Sequence, residues 1–262
     1  MASNSSKQNI PENTAALEIR KLNKYFYSDH GKAVQALQDI DLTVNSGEFL
    51  ILLGATGCGK TTLLNLIAGL DKPDEGRLNL DNTLKFGNNI AYVFQHYTLF
   101  PWRTTLGNVT FSMEMRGLPR SQRKLEAVKL ISKVGLKSFE TSYPHELSGG
   151  MRQRAAIAQA IAMKPKLLLM DEPFGAVDDN TRAELQQMII QLWKENQSTV
   201  IFVTHNIDEA LILGDRVIVL SERPGRITQE YKIDLTRPRE RMAKEFTNTF
   251  IQIRQSLSGQ LD

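Results

Sequence analysis

Four short stretches hold side chains able to do chemistry together. Gly54-Ala55-Thr56-Gly57-Cys58-Gly59-Lys60-Thr61 has the spacing Gly-x-x-x-x-Gly-Lys-[Ser/Thr]. Glycines at that spacing let successive backbone N–H groups curl toward one centre and cradle phosphate at a helix N-terminus. Lys60 supplies a point charge for outer phosphates, and the Thr61 hydroxyl is placed to ligate Mg²⁺. An apolar run ends in Asp171-Glu172; Asp171 can hold a divalent cation directly or through water, and Glu172 can orient and deprotonate an attacking water. Two further apolar runs end in Gln95 and His205. Taken singly each has a plainer reading: a Gly-rich turn, a charged turn, a packing histidine, a surface amide. Ending four strands of one sheet, they mark a site, because ligands of open parallel sheets collect at the carboxyl ends of the strands.

The elements that must position them are legible as periodicity. Glu48 to Leu53 is a short apolar run after the turn signal Ser46-Gly47, which predicts a buried strand. Leu63, Leu66, Ile67 and Leu70 then recur at helical spacing until Asp71-Lys72-Pro73. Before this unit, Leu17 and Ile19 alternate with polar residues, and Val34 to Val44 continues the β character. After it, Gly76 to Asp81 and Ile90 to Phe94 predict strands. From Gln95 to Leu147 the pattern turns helical, over Leu106 to Met115 and Ser121 to Val134. Leu125, Val128, Ile131 and Val134 form the second helix's face and Gly135 its stop. An Ala-rich helix over 151–163 ends at Lys164-Pro165, and strand Leu167 to Met170 leads into Asp171-Glu172. Thr181 to Glu195 is helical, Ser198 to Thr204 a strand, and Asn206 caps a short helix with Glu209 three residues on. Arg216 to Leu220 is a strand before the Pro224-Gly225 turn. Met242, Phe246, Phe250, Ile253 and Leu257 predict a C-terminal amphipathic helix. Strands alternating with helices imply a largely parallel sheet covered by helices.

Bulk properties exclude several classes. With 262 residues, 41% hydrophobic and 23% charged, the chain has the composition of a soluble globular domain with a substantial core. The net charge of +3 comes from interspersed acids and bases, so no basic face, and no nucleic-acid partner, is expected. Cys58 is the one cysteine, so no intrachain disulfide forms and a reducing compartment fits. No apolar run approaches a membrane span, and the Ser/Asn/Gln-rich start predicts a disordered tail over residues 1–15 rather than a signal peptide.

With these residues in view, the chain resembles the ATP-binding subunits of ABC transporters. The resemblance rests on the phosphate loop, Gln95, Leu147-Ser148-Gly149-Gly150, Leu169-Met170-Asp171-Glu172-Pro173, Gly175-Ala176-Val177-Asp178 and Thr204-His205, in that order. It implies an α/β, P-loop (RecA-like) fold: a mostly parallel sheet, an antiparallel β subdomain and a small helical subdomain. The implied boundaries are an ATPase domain over 16–236 with the helical subdomain inserted at about 96–160, then the C-terminal helix over 237–262. It implies ATP and Mg²⁺ as cofactors. Gly54, Ala55, Thr56, Gly57, Cys58, Gly59, Lys60, Thr61 and Thr62 would hold the phosphates, and Thr61, Gln95 and Asp171 would serve the metal. Glu172 would be the general base, with His205, Gln95 and Lys60 in the catalytic set. Phe26, or alternatively Tyr25, would stack on adenine. It also implies a head-to-tail dimer in which Ser148, Gly149 and Gly150 cap the γ-phosphate held by the opposite copy, with Asp178 on the loop that spans the dimer. A hydroxyl and bare amides at a helix start make physical sense of that second anion site.

Some positions depart from the commonest family pattern: Met151 stands where Gln is usual, Thr56 and Thr61 where Ser is frequent, and Asn206 where Asp is usual. None removes a group the chemistry requires. Cys58, beside Lys60 at a helix N-terminus, is expected to be a reactive thiol shielded by MgATP; the plainer alternative is a small residue filling the turn. Leu99-Phe100-Pro101-Trp102-Arg103, the signature with Met151, and Pro173-Phe174-Gly175-Ala176 look like the nitrate, sulfonate and taurine importer subgroup. That implies separate transmembrane permease subunits, an indirect extracytoplasmic solute-binding protein, and a place on the cytoplasmic face of the membrane. Phe100 and Trp102 would suit a groove that receives the permease's cytoplasmic helix, or else form a satellite hydrophobic cluster. The rival is an ABC-type ATPase of DNA repair or translation, but those carry a long coiled coil or a second cassette that this chain lacks.

Overall fold

A computed structural model describes residues 15–27, 33–85, 89–96, 98–175 and 177–258. The expected tail, apart from Ala15, lies outside them, as do the loop over 28–32 and Ala176. The chain runs β1 (Ala15–Tyr27), β2 (Ala33–Asn45), β3 (Phe49–Leu53), α1 (Lys60–Ala68), β4 (Glu75–Leu80), β5 (Ile90–Val93), α2 (Thr105–Met115) and α3 (Arg120–Lys133). It continues through α4 (Gly149–Ala162), β6 (Leu167–Asp171), α5 (Asp179–Asn196), β7 (Thr199–Thr204), α6 (Ile207–Leu213), β8 (Arg216–Leu220), β9 (Ile227–Lys232) and α7 (Lys244–Ser258).

Two sheets result. β2-β1-β4 is antiparallel, and a larger sheet has the order β5-β6-β7-β3-β8-β9, parallel except for β9. The expected fold class is the one observed: a mostly parallel α/β sheet with an antiparallel β unit and helices. All five residues of β3 are buried. Phe49, Ile51 and Leu53 face one core and Leu50 and Leu52 the other. A strand covered on both faces needs no polar alternation, which is why it reads as one apolar run. The first core receives α2 to α7. The second packs α1 and the antiparallel sheet, through Leu63, Leu64, Ile67, Ile19 and Leu37.

Four expectations need correction. In α3 the buried residues are Ala127 and Ile131, with Val134 buried just past its end, while Leu125 is 60% exposed. With Leu130 against the same core, the face is Ala127-Leu130-Ile131-Val134, which follows i, i+3, i+4, i+7; a stripe of strict i+3 steps drifts by about 60° each time and leaves Leu125 on the side opposite Val134. The Ala-rich helix opens at Gly149, two residues early, because Ser148 caps it by accepting from the Met151 N–H. Met242 lies ahead of α7 and is 95% exposed, whereas Phe246 and Ile253 anchor that helix. β9 was not predicted: Ile-Thr-Gln-Glu-Tyr-Lys carries no apolar run, because an edge strand buries little of its surface.

Candidate functional site

The order β5-β6-β7-β3 puts the four polar strand ends side by side. Register keeps them level, with Leu53 opposite Thr204, Asp171 opposite Val203 and Val93 opposite Met170. Gln95, Asp171-Glu172, His205 and Gly54 therefore form one row, about 14 Å long at roughly 4.8 Å per strand. Gln95 lies at the edge end of the row and is exposed.

At the other end the chain leaves β3 and curls before α1. Gly57 and Gly59 have φ of +82° and +108°, the left-handed region that an L side chain rarely adopts. A Cβ on Gly59 would also stand 2.8 Å from the Ala36 carbonyl oxygen and from Leu37 Cδ2. No side chain caps α1, whereas Ser148, Asp178 and Asn206 cap α4, α5 and α6. The orphan N–H groups of α1 are thus left for an anion. Lys60 is buried; its Nζ donates to the Gly54 and Ala55 carbonyls at 2.8 Å each and stands 3.6 Å from Glu172 Oε1. Thr56 is exposed and Thr62 half-buried at the loop's two flanks.

The loop folds back across β7 to reach the end of β6. There Thr61 Oγ1 donates to Asp171 Oδ1 at 3.2 Å. Burial pushes the Asp171 carboxyl up against the pull of that hydroxyl, and Glu172 beside it pushes the same way. A hydroxyl and a carboxylate converging on one point suit a hard oxygen-seeking cation such as Mg²⁺. Among the described residues no group of three or more His, Cys, Asp or Glu forms a metal cage; beyond Thr61 and Asp171, such an ion would be completed by Gln95, phosphate and water. Glu172 has φ +41°, a left-handed conformation that costs a non-glycine residue about 1 kcal/mol or more. Its Oε2 stands 3.3 Å from His205 Nδ1, while its Oε1 faces Lys60. The carboxylate is thereby held between a cation and an imidazole.

Other expected residues lie elsewhere. Ser148, Gly149 and Gly150 open α4, and a Cβ on Gly150 would strike Thr181 Cγ2 at 2.7 Å. Thr181 in turn donates to Asp178 through its N–H at 3.0 Å and its hydroxyl at 2.7 Å, which holds the Asp178 carboxyl below the usual range. The signature glycine and Asp178 thus share one contact, and the neighbours around Gly150 are not phosphate-loop residues. Phe26 is 47% exposed on β1, with Lys24 Nζ 5.4 Å from its ring centre. Lys24 also reaches Asp71 beyond the end of α1, so Phe26 shares the strand face turned toward α1 and Tyr25 takes the opposite one.

Cys58 requires a correction. Its thiol is buried in the second core, and desolvation raises its pKa despite Lys60. Two residues were missed. The Tyr92 hydroxyl lies 3.1 Å from Asn65 Oδ1 and 3.5 Å from Asp171 Oδ2, and burial with the adjacent carboxylate raises its phenol pKa. Arg223 donates to the Gly57 carbonyl at 3.1 Å. Tyr92 reads as one more apolar residue of β5, and Arg223 is 166 residues from the loop it touches, so neither had a local signal.

Two outcomes follow from this electrostatics. Maleimide should label Cys58 only after denaturation, at the same negligible rate with and without MgATP; rapid labelling of folded protein would contradict the burial. The Asp171 carboxyl binds its proton more tightly folded than unfolded, so its stabilising contribution is present at acid pH and lost as pH rises through the raised pKa. Asp171→Asn should therefore raise the Tm of the nucleotide-free protein near neutrality, with the gain shrinking toward acid pH. Thermal melts between about pH 4 and pH 8 read this directly.

Comparison with known proteins agrees with the geometry. The ABC transporter family model matches residues 37–175. An uncharacterized ABC transporter ATP-binding protein of Methanocaldococcus jannaschii is 51% identical over 88% of this chain and 86% of its own length. A nitrate import ATP-binding protein of Synechocystis is 45% identical, over 84% of this chain and 83% of its own. A taurine import ATP-binding protein of Rhizobium johnstonii is 41% identical, over 84% and 85%. The dimeric structure of a bacterial ABC transporter cassette superposes with a TM-score of 0.75 at 32% identity, covering 84% of this chain and all of that one. Nothing among these points to DNA repair or translation. With the family model over more than half of the chain and these relatives along most of its length, the chain belongs to the ABC transporter family as an ATP-binding, ATP-hydrolysing subunit.

Proposed function

We propose that the chain hydrolyses ATP to energise an importer of small anions of the nitrate, sulfonate or taurine kind. The observation that carries the hydrolytic reading is Glu172 held between Lys60 and His205 at the end of β6, beside the Thr61–Asp171 pair. Lys60 exchanges its two loop carbonyls for the outer phosphates. The uncapped N–H groups of α1 and the amides from Gly54 to Thr62 bind those phosphates from below. Thr61, Asp171 and Gln95 hold Mg²⁺, which when bound neutralises charge on the outer phosphate oxygens. Glu172 accepts a proton from the attacking water, and His205 contacts the γ-phosphate and steadies Glu172. Phe26 stacks on adenine.

Each copy holds half of each site. Ser148, Gly149 and Gly150 present the start of α4 to the γ-phosphate bound by a second copy, and Asp178 spans the dimer; the dimeric state of the structural neighbour supports the second copy. The import direction and solute class rest on the nitrate and taurine import relatives and on the Leu99–Arg103 stretch. In that stretch Phe100 packs against Trp102 and Phe111, while Trp102 is 71% exposed. A groove between β5, α2 and α4, lined by Phe94, Phe111, Met115 and Met163, receives the cytoplasmic helix of a membrane permease. No described helix is long and apolar enough to cross a membrane. In this reading the permease holds the chain at the cytoplasmic face, as the nitrate and taurine import relatives support. A solute-binding protein on the far side delivers the anion.

Glu172→Gln should bind ATP, lose turnover by about 10²-fold or more and accumulate as a nucleotide-bound dimer in light scattering; wild-type turnover would overturn the general-base role. Ser148→Arg should spare ATP binding while abolishing ATP-dependent dimerisation and hydrolysis, so unchanged turnover would overturn the shared site. Uptake of nitrate, taurine and alkanesulfonates by a strain deleted for the gene identifies the solute: at least one should fail to enter.

A further inference from the structure

The segment Arg237-Pro238-Arg239-Glu240-Arg241, between β9 and α7, grips both ends of α6, the helix that follows His205. At the far end, Arg239 Nη1 donates to the Leu211 and Gly214 carbonyls at 2.6 Å each, and its Nε donates to the Leu235 carbonyl at 2.9 Å. Arg237 donates to the Leu213 carbonyl and, at 2.6 Å, to Asp215 Oδ1, with its guanidinium 4.8 Å over the Trp193 ring. The C-cap residue Gly214 is extended rather than left-handed, and the last carbonyls of α6 find cationic donors instead. At the near end, Arg241 takes Asp208 in a fork, Nε to Oδ1 and Nη2 to Oδ2, both at 2.7 Å. The same Nη2 donates to Gln186 Oε1 of α5 at 3.0 Å.

α6 has only seven residues, too few to hold a helix, let alone an orientation, without tertiary contacts. Its first turn is joined to His205 through Asn206, whose side chain accepts from the Asp208 and Glu209 N–H groups. The inner side of that turn is fixed from within. Glu209 accepts from Thr204 Oγ1 at 2.5 Å and lies 3.4 Å from Arg182, and Thr204 Oγ1 accepts from the Asn206 N–H. The Glu209 backbone thus bonds the Asn206 side chain directly, while its carboxylate reaches the Asn206 N–H only through Thr204. The outer side is fixed by Arg241, 33 residues further along the chain than Asp208.

A partly exposed pair such as Arg241–Asp208 adds little to stability. What a bidentate guanidinium–carboxylate contact does fix is geometry, since two parallel bonds define an orientation where one would allow a swivel. We propose that Arg241, acting through Asp208, is a positioning residue for His205. It holds the start of α6 so that the imidazole stays against Glu172. The inference rests on the catalytic reading of His205 given above.

The test uses steady-state ATP hydrolysis by the full chain, with Arg241→Ala, Arg241→Lys and Asp208→Asn made in wild-type and His205→Ala backgrounds. In the wild-type background Arg241→Ala and Asp208→Asn should each lower kcat by about tenfold, as coupled neighbours do, while the KM for ATP and the Tm barely move. Arg241→Lys, which keeps the charge without the fork, should recover only part of the loss. In the His205→Ala background neither substitution should lower turnover further. Wild-type kcat in Arg241→Ala, or equal losses in both backgrounds, would overturn the inference. Wild-type turnover in His205→Ala itself would instead overturn the role of His205. Where His205→Ala is too slow to measure, imidazole resonances of the nucleotide-free protein decide. The His205 signal, assigned by its loss in His205→Ala, should shift in Arg241→Lys and Asp208→Asn while the His96 and His145 signals stay fixed; an unmoved His205 signal would also overturn the link.

Discussion

Everything at the site depends on parallel strands that end level. Parallel pairing runs from β5 through β6 and β7 to β3 without a register shift. The residues after each strand therefore emerge on one edge, an interstrand spacing apart. A bulge in β6 would move Asp171 and Glu172 along their strand and away from Thr61, Lys60 and His205. Burial of β3 on both faces enforces the alignment, because a one-residue slip would exchange its two faces. Phe49, Ile51 and Leu53 could not trade cores with Leu50 and Leu52 without voids in one and clashes in the other.

On that edge the protein tolerates several unfavourable features at once. Lys60 and Asp171 are buried, Glu172 adopts a left-handed backbone, and α1 begins without a side-chain cap. Each alone costs stability. Together they are mutually compensating: Lys60 finds two carbonyls and a carboxylate, and Asp171 finds the Thr61 hydroxyl. The remaining mismatch, a desolvated carboxylate beside orphan N–H groups, is what a metal-bound polyphosphate would satisfy. The rest of the fold supplies the stability that lets this edge stay poised.

The helices are organised around helix starts facing different tasks. Ser148 and Asp178 cap α4 and α5, and the Thr181 contact joins the two starts. Asn206 caps α6, whose far end is capped by arginines from the segment before α7. That segment makes the C-terminal part of the chain an integral piece of the site's support rather than an appendage, with Phe246 and Ile253 burying α7 against the same core as β3.

Local pattern determined much of this protein. The phosphate loop, the buried strand before it, the Asp171-Glu172 strand end, the Ser148 helix start and the Asn206 cap are each specified by residues a few positions apart. Steric need for glycine, hydrogen-bond capping and apolar periodicity act over that range. What the sequence left open, or led to misreading, depends on neighbours distant along the chain. Cys58 looks activated beside Lys60, yet the core closes over it and desolvation wins. Leu125 fits a run of i+3 steps, yet α3 turns the face of Ala127 and Ile131 to the core and leaves Leu125 on the far side. β9 is invisible because an edge strand needs no apolar run. Tyr92 meets Asp171, Arg223 meets Gly57 and Arg241 meets Asp208 only through the tertiary fold, because a long polar side chain carries no mark of its partner until packing brings that partner within hydrogen-bond reach.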